Sequence, residues 1–554
     1  MRKLVATTAA LVAAVVVFLR FTLPPGPVAA GWTGDPSIPP RTVAGAYHVH
    51  TKNSDGAGDR AAVAAAARRA GLQFVIVTDH GDGTALAPPA YVDGVLCIEG
   101  AEISTNGGHY VALGMEKSPY PLGGEPFAVV EDVARLGGFG FAAHPDSPKS
   151  TLAWTDWNVP FDGVEWLNAD SEWRNESRAR LARVLVDYLF RPGPALASAL
   201  DRPAATLARW DALTTRRPIV ALAGHDAHGG VGTTAEDGRR TSIGGVPSYE
   251  ASFRSFSTGV VLDAPLAGEA AADGRAVLAA MRAGRTFTTI DGLAGPGLVD
   301  FQGWPRDRSH KQAMGSTMPA GGGGVEVTTA MPAGAELVVL GNGTELQRLN
   351  GPHYLTGFEG FSGSIRVEVR IPGAPGHPPI PWLVTNPIYF LPPAPAPGPV
   401  GAPAFAPADI TWHVEKDMGS DGDLAGPERE VAIDFRLRAG DKGSQFAALV
   451  GDLRGARQGV THLAFDGVAS RPLRVSVQLR YPSGGGERWA RSVYLDDASR
   501  HVVVSLNEML PVDRQTGPLP PLGKAGSLLF VVDLVNASPG TSGTFRISNV
   551  ALGR

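Results

Sequence analysis

Between about residues 42 and 290 short apolar runs alternate with longer helical runs, and the apolar runs are bordered, again and again, by ionisable residues. Residues 72–78 read as a buried strand and end in Asp79 and His80. Residues 95–98 are followed by Glu99 and Glu102, and 110–113 come just after His109. Residues 138–143 lead into His144, 163–167 into Asn168 and Asp170, and 219–223 into His225, Asp226 and His228. Helical runs lie between them at 59–70 (capped by Asp59 or Gly58, stopped by Gly71), 127–136, 177–190, 204–214 and 274–283. Repeated strand–helix units predict an α/β fold, a parallel sheet with helices outside, open or closed as a barrel. In such folds chemistry collects where strands end and loops begin.

The first strand end carries the sharpest motif, His48-Val49-His50. Side chains two apart on a strand share a face, so both imidazoles can reach one metal ion at about 2.0–2.1 Å. Asp55 follows on a Ser-Asp-Gly turn and can bring a carboxylate over the same face. Seven of the 13 histidines (His48, His50, His80, His109, His144, His225 and His228) fall between 48 and 228. Any one of them alone reads as an ordinary core or surface histidine; six at strand ends, with Asp226 and Glu102, read as a metal-ligand set. Asp226 and His228 repeat the two-residue spacing and share a face; His225 points the other way and takes a structural or supporting role. Glu102 is the favoured carboxylate, with Glu99 the runner-up. Imidazole and carboxylate without thiolate suit Zn, Mn or Fe, and such ions with water-filled positions make a hydrolytic site.

A chain of 554 residues is too long for one core and predicts two to four domains. A net charge of −5 gives no electrostatic reason to expect nucleic acid. The one cysteine, Cys97, lies in a buried-strand pattern and excludes an intrachain disulfide. Arg2 and Lys3 precede an apolar run over 4–19. As a helix it spans about 24 Å, short of a bilayer core, which fits a signal peptide or short signal anchor within 1–30 and an exported protein of the periplasm or cell envelope, with an N-terminal membrane anchor as one outcome. Beyond about 298 the helical runs vanish. Residues 298–391 predict a small immunoglobulin-like β-sandwich, 392–408 a Pro-rich linker, and 409–554 a second sandwich or jelly roll. That last domain is a candidate glycan binder, with Trp412, Trp489 and Tyr494 as its aromatic candidates and buried core as their competing fate.

The ordered set His48-Val49-His50-Thr51, Ser54-Asp55-Gly56, Thr78-Asp79-His80, Gly100-Ala101-Glu102, Gly108-His109, His144-Pro145, Asp162-Gly163-Val164-Glu165 and Asp226-Ala227-His228 resembles the PHP (polymerase and histidinol phosphatase) domain. Ala283-Gly284-Arg285-Thr286 and Asn386-Pro387-Ile388-Tyr389 extend the resemblance to its carbaryl-hydrolase-like (CehA/McbA) branch over about 42–390. The resemblance implies a distorted (β/α)7 barrel at 42–297 with two or three divalent ions. One ion would take His48, His50, Glu102 and Asp226; a second Glu102, His109 and His144; a third Asp55, His80 and His228. His225 stands where the branch commonly has Ser. The activity implied is metal-dependent hydrolysis of a small-molecule ester, a phosphoester first and a carboxylic or carbamic ester second, with Asp226 or His228 handling the proton. Lys52, Arg174 and Arg178 are the candidate cations for an anionic substrate. The reading of another class is an inactive barrel serving as a cell-envelope binding protein.

Overall fold

The structure is a computed structural model. It describes residues 22–234, 240–243, 245–393, 404–427, 430–440, 443–454, 458–482, 486–512 and 521–554, besides positions 8, 16, 17 and 20. Much of the expected export segment (1–30) and of the expected linker (392–408) lies outside the described residues.

The first part of the chain contributes ten strands that matter to the site: β1 (Thr42–Val49), β2 (Phe74–Val77), β3 (Val95–Glu99), β4 (Ala101–Thr105), β5 (Gly108–Leu113), β6 (Phe139–Ala142), β7 (Gly163–Asn168), β8 (Val220–Gly224), β9 (Ser257–Val261) and β10 (Thr286–Thr289). The helices among them are α1 (Arg60–Ala70), α2 (Pro126–Arg135), α3 (Ala169–Asn175), α4 (Arg178–Tyr188), α5 (Pro192–Ala197), α6 (Ala204–Thr214), α7 (Tyr249–Phe253) and α8 (Ala270–Arg282). Local chemistry explains their ends. The Asp59 carboxylate accepts from Ala62 N at the start of α1, and Gly71, at φ 85°, closes it.

The expected (β/α)7 barrel is corrected here. Among the described residues the strands close no barrel; they form separate sheets, and strand (41%) outweighs helix (18%). β3, β2 and β1 run parallel, but β9 and β10 join them antiparallel. A second sheet runs β8–β7–β6–β5–β4, parallel from β8 to β6 and antiparallel from there on. The physical reason lies in the connections. Single residues or short turns join β3, β4 and β5, far too short for the dozen-residue crossover a parallel pair requires, so β4 and β5 turn back as a hairpin. Isolated bridges, Val49 with Ala227 and His80 with Glu102, and the backbone hydrogen bonds around them join the two sheets.

The first sheet continues across position 297. β10 pairs with Leu383–Thr385, which pairs with Gly363–Arg370. A four-stranded sheet built on Val299–Pro305 and Gly322–Thr329 belongs to the same β-sandwich. Asn386 fastens this unit to β8 and β10: its side chain donates to Ala221 O and Thr286 O and accepts from Ala221 N. Residues 410–553, with Phe405–Pro407 paired at one edge, form a second β-sandwich of two antiparallel six-stranded sheets, its interior filled by Phe465, Val477, Leu479, Phe530 and Phe545. This sandwich docks on α2. Arg474 donates to Asp132 at 2.8 Å, Ser492 N donates to Glu125 at 2.8 Å, and the Arg491 guanidinium lies over Phe127. No described helix is long and apolar enough to cross a membrane.

Candidate metal centre

All nine residues expected as ligands meet where the two sheets touch. His48 and His50 come from the end of β1, Glu102 from β4, His109 from β5, His144 from the loop after β6, and Asp226 and His228 from the loop after β8. Asp55 and His80 follow β1 and β2. Regular strand alternation does not produce this convergence. The register of β1 against β2 shifts between Ala46 and Val49, and His48 sits at φ 64°. His144 (φ 29°) and Asp226 (φ 47°) also occupy the left-handed region, so three of the seven non-glycine residues described there belong to this cluster. Such a conformation costs of order 1–3 kcal/mol per residue and persists where surrounding structure imposes it. Here the β1–β8 seam imposes it: His225 N donates to Tyr47 O, Ala227 N to His48 O and His50 N to Ala227 O, at 2.9, 3.2 and 3.0 Å.

Glu102, 1% exposed, is the hub. Its Oε1 lies 2.7 Å from His109 Nδ1 and 2.8 Å from His144 Nε2. Its Oε2 lies 3.1 Å from His80 Nδ1, 3.3 Å from His50 Nε2 and 3.4 Å from His48 Nε2. Asp226 Oδ1 stands 3.3 Å from His50 Nε2 and 3.7 Å from His48 Nε2. On the outer side Asp55 Oδ2 approaches His228 Nε2 at 3.1 Å and His80 Nε2 at 3.8 Å, and the His50 and His228 rings stack. Four overlapping groups of three donors result: His48, His50 and Asp226; His48, Glu102 and His144; His50, Asp55 and His228; His50, His80 and Glu102.

The donor set fits divalent ions on an observation of its own. The Nε2 atoms of His48 and His50 are buried and have no hydrogen-bond partner. A buried nitrogen left unpaired is costly unless something else satisfies it, and both face Glu102 and Asp226. The opposite nitrogen of His48 is engaged: Nδ1 lies 2.5 Å from Glu165 Oε1, which sets Nε2 up as the lone-pair donor. Glu165, fully buried in β7, also accepts from His144 N and Asn168 Nδ2.

The electrostatics point the same way. Burial opposes charge on Glu102, but His48, His109 and His144 hold its carboxyl well below the usual range. Asp226 is likewise held well below it, against burial, chiefly by His48 and His50. Burial pulls His48 down, yet Glu165, Asp226 and Glu102 keep it well above an ordinary imidazole, and Glu102 lifts His144 to about 9 against its burial. For His80 burial wins and the pKa falls. Protons on imidazoles here supply positive charge that the buried carboxylates demand and that cations can supply instead.

The remaining expectations separate cleanly. Glu99 pairs with Arg60 and accepts from Ala87 N, away from the cluster. His225 is buried, stacks on Phe256 and is depressed to about 4 by burial. Lys52 is exposed and pairs with Asp59, and Arg178 is exposed at the start of α4. Arg174 pairs with Asp170 and lines a cavity of about 620 Å³ that reaches Asp226 and His228. Trp173, Leu181, Leu200 and the exposed Lys149 complete its wall. The sequence reading passed over Lys149, Trp173 and the role of Glu165. A lone glutamate inside an apolar strand was the available signal for the last. Asp79 was also unassigned; it accepts from Thr51 N, Thr51 Oγ1 and Ser54 Oγ and so fixes the loop that carries Asp55.

No family model matches the sequence, and no curated protein matches it. Solved structures similar to part of the chain include carbohydrate-binding modules. The family 11 module of the cellulosomal cellulase Lic26A-Cel5E of Clostridium thermocellum is 14% identical over 28% of this chain and 97% of that chain, with a TM-score of 0.22. A CBM4 structure is 13% identical over 26% and 85%, with a TM-score of 0.19. A family 29 module mutant complexed with mannohexaose is 14% identical over 26% and 92%, with a TM-score of 0.17. With TM-scores this far below 0.5, these likenesses assign neither a fold nor a ligand; the two-sheet sandwich at 410–553 stands on its own strand pairing. Within it Trp489 is buried, Trp412 packs against the core, and Tyr494 lies beneath the Arg135 guanidinium.

Proposed function

We propose that the chain is an exported metal-dependent hydrolase of small-molecule esters, phosphoesters first and carboxylic or carbamic esters second. The observation that carries the reading is the pair of buried Nε2 atoms of His48 and His50 that make no hydrogen bond and face Glu102 and Asp226. His48, His50, Glu102, Asp226, His109, His144, Asp55, His80 and His228 would hold two or three Zn, Mn or Fe ions. Bound there, the ions would supply the positive charge that acidifies a water molecule and neutralises charge developing on the substrate oxygens. The order of the ligand motifs along the chain is what keeps the resemblance to PHP metallohydrolases, without the barrel.

The chain's own groups then have defined tasks. Glu165 orients His48, and the Leu152 carbonyl, 3.1 Å from His144 Nδ1, orients His144. His228 Nδ1 lies 2.8 Å from Asp226 O, and its Nε2 lies 3.1 Å from Asp55 Oδ2. Asp226 or His228 would pass the proton to the leaving group. Trp173, Leu181 and Leu200 exclude water from the ester's apolar portion, and Lys149 offers a cation at the wall. Metal analysis of the purified chain, with turnover of aryl phosphate and aryl carboxylate esters in added Mn or Zn, tests the reading. A chain that holds no ion under metal-replete conditions would sink it.

The second reading is an inactive cell-envelope binding protein whose C-terminal sandwich holds a glycan. Retardation of the full chain in gels containing mixed-linkage glucan or mannan supports it. Unchanged mobility in both removes it.

A further inference from the structure

The end of α4 is apolar on the outside. Leu185 is 43% exposed, Val186 43%, Leu189 77% and Phe190 52%. Residues three or four apart lie side by side on a helix, so Leu185 with Leu189 and Val186 with Phe190 make one patch. No other six consecutive described residues expose more than two large apolar side chains. Isolated exposed apolar residues are ordinary, but a cluster of this kind marks a contact surface. Arg178, Arg180, Arg183 and Arg191 surround it in sequence.

What this patch meets is indicated by the chain itself. The N-terminal segment comes down on the same two helices: Arg183 Nη2 donates to Thr22 O at 2.5 Å and Arg191 Nη1 to Pro24 O at 2.6 Å. The residues just ahead of that attachment are the apolar run at 4–19, preceded by Arg2 and Lys3. A segment too short to span a bilayer comfortably and a helix end with Leu, Val and Phe outward between arginines suit the same environment, the boundary between lipid head groups and acyl chains. Arginine stems can lie along apolar surface; here Arg180 and Arg183 pair with Glu176 and Asp187, and Arg178 is exposed. We propose that the α4–α5 tip is a membrane-resting surface, seated on a lipid bilayer beside the N-terminal segment. Leu181 and Leu196 of these same helices line the cavity that reaches Asp226, so the seated surface borders the candidate active site. The inference is independent of the hydrolase reading.

The test uses the full chain reconstituted with vesicles of phosphatidylcholine and phosphatidylglycerol. A polarity-sensitive fluorophore is placed at Leu189→Cys, and a control at Met418→Cys, which is fully exposed on the C-terminal sandwich; Cys97 is buried and stays unlabelled. The expected result is a blue-shifted emission at 189, quenched by spin-labelled lipid and shielded from aqueous iodide, with the control unshifted. Leu189→Asp with Phe190→Asp, at an unchanged melting temperature, should weaken vesicle partitioning about tenfold. An iodide-accessible label at 189 on vesicle-bound protein overturns the proposal. So does a label shielded from iodide yet untouched by spin-labelled lipid, which would mean a protein partner, and so does a chain that does not float with vesicles.

Discussion

Two sets of buried charge in this molecule are built on opposite plans. In the α6 region Arg366 is 1% exposed, and each of its three guanidinium nitrogens donates to a carboxylate: Nε and Nη2 to Asp211 at 2.7 and 2.9 Å, Nη1 to Glu368 at 2.7 Å. Arg202 donates to the other Glu368 oxygen. Arg474, at the docking face of the C-terminal sandwich, is engaged in the same way by Asp132 and Glu131. At the β1–β8 seam, in contrast, five imidazoles converge on Glu102, two buried nitrogens lie near carboxylates without a hydrogen bond, and three residues hold left-handed backbone angles. A satisfied ion pair fixes geometry. A cluster short of hydrogen bonds and held at the expense of backbone strain is what the proposed ion site would require.

The contrast can be broken at either end. Asp226→Ala should lower kcat/KM at least about a thousandfold on whichever ester is turned over, with bound metal lost in elemental analysis; activity within tenfold of wild type would place the seam with the structural clusters. Arg366→Ala should do the reverse. It strands the Asp211 carboxylate, leaves Glu368 with Arg202 and Arg370 alone, and should cost about 3–5 kcal/mol in urea unfolding while bound metal stays unchanged. Glu165→Gln keeps the shape of β7 but weakens its hold on His48. Zinc titration by calorimetry should show affinity reduced about 10–100-fold with the fold intact, and undiminished affinity would make Glu165 a core residue only.

The smallest effect concerns Glu125 at the docking face. Burial pushes its carboxyl up to about 7, against the pull of Arg491 and Ser492 N. The folded chain then keeps a proton that the unfolded chain has released, so stability is greatest below the unfolded pKa and falls as pH rises toward 7. The slope is at most about 1.4 kcal/mol per pH unit. Chemical denaturation between pH 4.5 and 7.5 should show this slope in the wild type and lose it in Glu125→Gln; parallel curves for the two proteins would remove Glu125 from the account.

Much of the site was legible in the residues. Ligand-type side chains recur at the ends of apolar runs, and such chemistry is local: His48, His50, Glu102, Asp226 and His228 can each be named without knowing what pairs with what. One pairing has a different physical origin from the alternation expected of a regular strand. His48 and His50 reach the same point because β1 kinks at His48, not because a regular strand alternates. Glu102 over Glu99 was also settled only in three dimensions, where Arg60 takes Glu99 away.

Sequence alone determined the element types: α1 between its Asp59 cap and Gly71, the buried strands and the change to β structure beyond 298, and it named the side chains that cluster at the seam. These follow from side-chain periodicity and capping, which act over a few residues. Tertiary structure decided the rest. Apolar runs do not say which strand will be the neighbour or in which direction it will run. The short connections through Gly100 and Asn106-Gly107 forced a hairpin where a barrel was expected, and one sheet ran on past 297 because β10 offered an edge that Leu383–Thr385 could pair. Hydrogen-bond partners are chosen by loop length and by which edge is open, and both are properties of the assembled chain.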